Sequence, residues 1–189
     1  MANTPSKMLA LGTQAPPFKL PDPTGRLWTL EEVCGKNGIL VLFICNHCPF
    51  VIHIAGELAR IGRDFPAQGI GVVAINANDV EHYPADRPEL MAVEAKARGY
   101  SFPYVYDATQ TVARAYQAAC TPDIFLFDAK FRLVYRGQLD QSRPGNGVPV
   151  NGADLRQAAT ALVHGEPISS LQTPSIGCNI KWHRGSAPI

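Results

Sequence analysis

The chain has 189 residues, 46% of them hydrophobic and 17% charged, with a formal net charge of +1. That length suffices for one domain with a proper core, and the near-neutral balance gives no electrostatic case for nucleic acid or an anionic membrane. No stretch approaches the ~18 apolar residues of a membrane span, and five cysteines, an odd number, argue against a purely structural disulfide framework and for a reducing, cytoplasmic setting.

Residues 1–11 lack the apolar segment of a secretory signal and are expected to pack loosely. Residues 12–22 hold too many prolines for a helix. Phe18, Lys19 and Leu20 alternate like a short edge strand, Pro23, Thr24 and Gly25 make a turn, and residues 26–30 return as a second strand. Thr29 followed by Glu31 and Glu32 predicts a capped helical turn ending near Gly35. Cys34 there reads as a small, half-buried side chain.

Residues 38–44 are a short, Gly-bounded run rich in Ile, Leu and Val, which predicts a buried strand. The run ends at Cys45, Asn46, His47, Cys48 and Pro49. Apolar residues then recur at Phe50, Ile54, Leu58, Ile61 and Phe65, the spacing of an amphipathic helix over 48–65. Pro49 suits its first turn, where the missing N–H costs nothing. Residues 70–76 are a second buried, parallel strand. Asn78 and Asp79 follow it, either capping the next segment or bordering a site beyond the strand ends.

Residues 79–88 read as a loop, 89–98 as a helix stopped by Gly99, and 102–107 as a short strand with its cap. Residues 109–118 read as a helix with Val112, Ala115 and Tyr116 turned inward. Cys120, Thr121, Pro122 and Asp123 lead into an apolar strand at 124–128, which hairpins into residues 132–137. A Gly- and Pro-rich loop spans 138–152, an amphipathic helix spans 152–164, and the tail from 166 to 189 has little regular pattern. The order is one of α/β architecture, a single domain over 1–189 with its core at 12–165 and helices covering one mixed sheet. No internal repeat is present.

The two thiols of the Cys-x-x-Cys thus sit where a strand hands over to a helix. A helix N-terminus has unpaired N–H groups and partial positive charge, and both favour a thiolate, the nucleophile of disulfide exchange. Cys45 is expected to be the exposed, attacking thiol at the helix start and Cys48 the deeper, resolving one. His47 between them would tune the thiol pKa and the reduction potential. The competing reading is a zinc site, since this motif is also half of a zinc knuckle. It lacks an evident second pair of ligands, because Cys34, Cys120, Cys178 and the other histidines are scattered. No cofactor is expected.

On these residues the chain resembles the thioredoxin-fold superfamily. The dithiol after a strand, Thr121-Pro122 ahead of the strand at 124–128, and the leader from Gly12 through Ala15, Pro16, Phe18, Leu20 and Asp22 to Gly25 look like its alkyl hydroperoxide reductase/thiol-specific antioxidant, peroxiredoxin-like branch. Residues 43–51, 120–123, 142–147 and 174–182 look like an uncharacterised subgroup with a Cys-Asn-His-Cys motif. The resemblance implies a thioredoxin-like fold with an N-terminal hairpin extension and a cis bond at Pro122 that leaves the Thr121 backbone free to pair with an incoming disulfide peptide. It also implies a disulfide-containing protein or small thiol compound as substrate and an upstream reductant such as thioredoxin or glutathione.

Departures from the pattern favour disulfide exchange over peroxidase activity. With Cys48 at the peroxidatic position, Val41 stands where peroxidases have Pro and Cys45 where they have Thr, and the expected Arg near 120–123 is absent. Leu42 stands where thioredoxins carry a buried Asp, so proton transfer from Cys48 would use another base, with His47 and Asp79 as candidates, or water. Cys120 and Cys178 are possible accessory thiols.

Overall fold

The computed structural model describes residues 3–187. Residues 1, 2, 188 and 189 of the expected domain lie outside the described residues. In chain order the strands are β1 (Thr4–Pro5), β2 (Lys19–Pro21), β3 (Leu27–Thr29), β4 (Gly38–Phe43), β5 (Ile70–Asn76), β6 (Tyr104–Tyr106), β7 (Cys120–Thr121), β8 (Asp123–Asp128), β9 (Leu133–Arg136) and β10 (Ile176–Asn179). The helices are α1 (Leu30–Val33), α2 (Pro49–Ala67), α3 (Pro88–Arg98), α4 (Thr111–Ala115) and α5 (Ala153–His164), with a 3-10 turn at Pro84–Asp86.

The mixed sheet follows from which runs are apolar on both faces. All six residues of β4 are buried, so it takes partners on both edges and helices on both faces. β8 pairs with it antiparallel from Gly38↔Asp128 to Phe43↔Asp123, and β9 extends the ladder beyond β8. On the other edge the Ile44 N–H donates to Ile75 O at 3.1 Å, and β5 pairs parallel with β6. Alternate residues of β4 feed two cores. Leu40 and Leu42 face α2 and α5 with Leu58, Ile61 and Leu155, while Ile39, Val41 and Phe43 face α4 and the N-terminal segment with Tyr116 and Phe18.

The N-terminal hairpin forms as its turn chemistry predicts. Asp22 Oδ1 accepts the Thr24 and Arg26 N–H groups, and the Trp28 indole donates to Asp22 Oδ2. Thr29 and Glu32 close a reciprocal capping box on α1.

Three expectations fail. Residues 3–11 are not loose, because β1 pairs with β10 and Leu9 is buried. The helix expected over 109–118 is only α4, and Ala115 points to solvent while Ala113 is buried. Buried Asp107 accepts the Ala113 N–H and fixes that start two residues late. The tail is not irregular throughout, since β10 lies antiparallel between β1 and β7. A four-residue strand with only Ile176 and Cys178 of large apolar character is invisible to period counting.

Candidate active site

β4 ends at Phe43, and α2 begins at Pro49 with Cys48 as its N-cap residue. The turn between them is pinned from the side by the Pro84–Asp86 turn. The Asn46 N–H donates to Asp86 Oδ1 at 2.8 Å, its amide donates to Ala85 O at 2.9 Å, and its Oδ1 accepts the Tyr104 hydroxyl at 3.0 Å. His47 Nδ1 lies 2.7 Å from Asp86 Oδ2, off the line of a well-aligned hydrogen bond, so the contact is an ion pair first. The His47 ring lies parallel to Tyr83, with centroids 6.0 Å apart.

Thr121 faces the dithiol from β7, and the Thr121–Pro122 bond is cis, as the family resemblance implies. Its Oγ1 is 3.5 Å from Cys45 Sγ, and its carbonyl oxygen lies 3.1 Å from Cys48 Sγ, where it accepts the Cys48 proton only while that thiol is protonated. The Thr121 backbone is not free for a peptide, however. β10 already pairs there, with Cys178 directly opposite Thr121. Directly opposed residues of an antiparallel pair share a face, so Cys178 points where Thr121 does, toward the two sulfurs.

The electrostatics separate the thiols. The Cys45 S–H hydrogen bond, opposed by burial and aided by Thr121 and the Val51 N–H at the helix start, holds Cys48 well below the ordinary thiol range. Cys45 goes the other way, because it donates to Cys48, is buried, and faces the Asp86 carboxylate. Asp86 raises the His47 pKa against desolvation. Burial pushes Asp86 itself up, but His47, Asn78 and Asn46 outweigh it and hold it below the usual carboxylate range. Burial and its bond to Cys48 push Cys178 up. Burial pushes Cys120 up, and its thiol donates to Pro122 O instead of meeting the dithiol.

The expectation that Cys45 is the exposed thiol at the helix start is therefore corrected. Cys45 is buried, and Cys48 holds the cap. One residue of coil after β4 places the first cysteine short of the helix. Asp79, a guessed base, is instead bound to His82 at 2.6 Å and the Glu81 N–H. The carboxylate at the dithiol is Asp86, hidden in a stretch that reads only as loop. The signal available for it was Asn78, which the sequence places at a strand end and which donates to Asp86 Oδ2 at 2.8 Å. Ligand atoms of Cys45, His47 and Asp86 lie within 4.8 Å of one another, so a metal held here would use Asp86 and not Cys120.

A thioredoxin fold with thiols gathered at a strand-to-helix turn opposite a cis-proline defines a thiol-dependent oxidoreductase. The chain belongs to the AhpC/TSA family, whose model matches residues 11–136. It is similar to the thiol-disulfide oxidoreductase ResA of Halalkalibacterium halodurans, 30% identical over 65% of this chain and 65% of that one. Two solved structures cover almost the whole chain. An uncharacterized conserved protein from Geobacillus kaustophilus is 51% identical, with a TM-score of 0.96 over 98% of this chain and 99% of that one. A hypothetical protein from Sinorhizobium meliloti 1021 is 52% identical, with a TM-score of 0.94 over 96% and 100%.

Proposed function

We propose that this chain is a thiol–disulfide oxidoreductase that cycles the Cys45–Cys48 pair between dithiol and disulfide. It would work in the cytoplasm and be restored by an upstream thiol reductant such as thioredoxin or glutathione. The observation that carries the reading is the unequal placement of two adjacent sulfurs, Cys48 at the N-cap of α2 and Cys45 ahead of the helix beside Asp86, which favours the thiolate on Cys48 and the proton on Cys45. That inequality supplies a nucleophile and a resolving thiol in one turn of chain.

The roles follow from the contacts and reverse the expected ones. The Cys48 thiolate attacks one sulfur of a substrate disulfide, forming a mixed disulfide and releasing the other half as a thiolate that takes a proton from solvent. Cys45 loses its proton and attacks the Cys48 sulfur. The internal disulfide forms and the second substrate half leaves as a thiol, so two electrons have passed to the substrate. The His47 imidazolium supports the charge on Cys48, and Asp86 holds His47 charged. Thr121 and Pro122 face the sulfurs on the side where substrate would dock, and β10 covers the Thr121 backbone there.

A second reading rests on the same placement of the thiolate. If the peroxidatic cysteine of the family is set on Cys48, as in the resemblance above, a thiolate there would attack a peroxide O–O bond, release an alcohol or water, and be resolved by Cys45. The test is turnover of a disulfide peptide and of hydrogen peroxide, side by side, with a thiol regenerating system. Disulfide turnover lost in both Cys48→Ser and Cys45→Ser supports exchange. Fast peroxide consumption that vanishes in Cys48→Ser but persists in Cys45→Ser would replace the exchange reading with the peroxidase one.

A further inference from the structure

The two reacting sulfurs have almost no surface. Cys48 is 0% exposed and Cys45 is 2% exposed, whereas Cys178 reaches 6% between exposed neighbours Ile176 and Asn179. The cover over them is the chain itself. β10 occupies the edge of β7, so its residues hold the backbone position that an incoming extended peptide would need. The fit is close, since a Cβ on Gly177 would stand 2.0 Å from Thr121 O. Strand addition at an exposed edge is a general way to capture a peptide, and here the added strand carries its own cysteine opposite Thr121.

We infer that β10 is a built-in substrate strand and Cys178 the thiol through which the buried dithiol exchanges with the outside. The inference rests on the oxidoreductase reading above and deepens it. In the oxidised protein Cys178 loses its proton and attacks the Cys48 sulfur. The Cys48–Cys178 bond forms as the Cys45–Cys48 bond breaks, the electron pair leaves on Cys45, and Cys45 takes up one proton. No net electron moves, so this isomerisation needs no outside oxidant. An external thiol then loses its proton and attacks Cys178, which releases the Cys48 thiolate and leaves the external group bound to Cys178 as a mixed disulfide. A second external thiol reduces that bond. Cys120 takes no part, because it occupies the neighbouring position on β7 and faces the other way.

The test uses the full chain with Cys34→Ser and Cys120→Ser as background and oxidised glutathione as the probe, followed by mapping of disulfide-linked peptides. Adding Cys45→Ser is expected to yield a Cys48–Cys178 disulfide. Adding Cys45→Ser with Cys178→Ser is expected to leave glutathione on Cys48, with a lifetime at least about tenfold longer, the minimum that a held neighbouring thiol should contribute. A stable glutathione adduct on Cys48 with Cys178 present, and no Cys48–Cys178 peptide, would overturn the inference. The background protein reports separately on the parent reading. A Cys45–Cys48 disulfide there, together with failure of the variant, removes only the role of Cys178, whereas no Cys45–Cys48 disulfide removes the parent reading too.

Discussion

At the scale of single residues, the chemistry depends on where one proton sits between Cys45 and Cys48. Cys48 has the helix-start N–H and the side-chain hydrogens of Cys45, Thr121 and Cys178 aimed at it, and Cys45 has a carboxylate. The reduced protein is therefore expected to show ultraviolet thiolate absorbance well below the ordinary cysteine pKa of about 8.5. Cys45→Ser should keep that absorbance, because a serine hydroxyl still donates to the sulfur, and Cys48→Ser should lose it. His47→Gln removes a cation that interacts with the thiolate and destabilises the reduced form. The expected result is a reduction potential lower by on the order of 30 mV, a tenfold change for a two-electron couple. The same variant has a signed effect on stability. The His47 pKa is raised in the fold, so its stabilisation is full below about 6.5 and is lost as pH rises through the raised value. The melting-temperature gap between wild type and His47→Gln should thus be widest near pH 6 and close in alkali.

At the scale of elements, the pieces legible in the sequence were those with a strong period or a strong punctuation mark. β4, β5 and α2 announce themselves by apolar spacing, and the β2–β3 turn and α1 cap by their Asp, Gly, Thr and Glu. The dithiol and the cis-proline were legible as motifs. What was not legible is what other segments bring to them. Asp86 sits in a three-residue turn, and Cys178 in a four-residue strand, and neither segment is long enough to carry a pattern. Both matter through partners on other segments, Asp86 through Asn46 and His47 and Cys178 through Thr121 and Cys48. Gly177 tests the pairing directly. An added methyl meets the Thr121 carbonyl, backbone that cannot swing aside, so Gly177→Ala should cost about 1–3 kcal/mol as overpacking does. It should also raise hydrogen exchange across β7 and β10 and speed alkylation of Cys178. Unchanged exchange in that variant would mean that β10 is not held through this contact.

At the scale of the whole molecule, a buried acid beside the site sets part of the pH dependence of folding. Asp123 accepts the Ala119 N–H through one carboxylate oxygen, while its Oδ1 has no well-aligned partner. Burial raises its pKa to about 6. An acid whose pKa is raised by folding stabilises the fold while protonated, and this is lost as pH climbs from its unfolded value of about 3.9 through its folded one. Asp123→Asn should therefore gain on wild type as pH rises from 4 to 7, by at most roughly 3 kcal/mol, measured by denaturant unfolding. A gap that does not change with pH would mean that Asp123 stays ionised in the fold.

The whole account turns on a reversible pair of sulfurs in a thioredoxin fold. Equilibration of the purified protein in glutathione buffers, read by alkylation of Cys45 and Cys48, measures that pair directly. The account predicts one two-electron couple between about −120 and −270 mV. Absence of any reversible couple, with the thiols shielded from alkylation by bound metal at Cys45, His47 and Asp86, would contradict it.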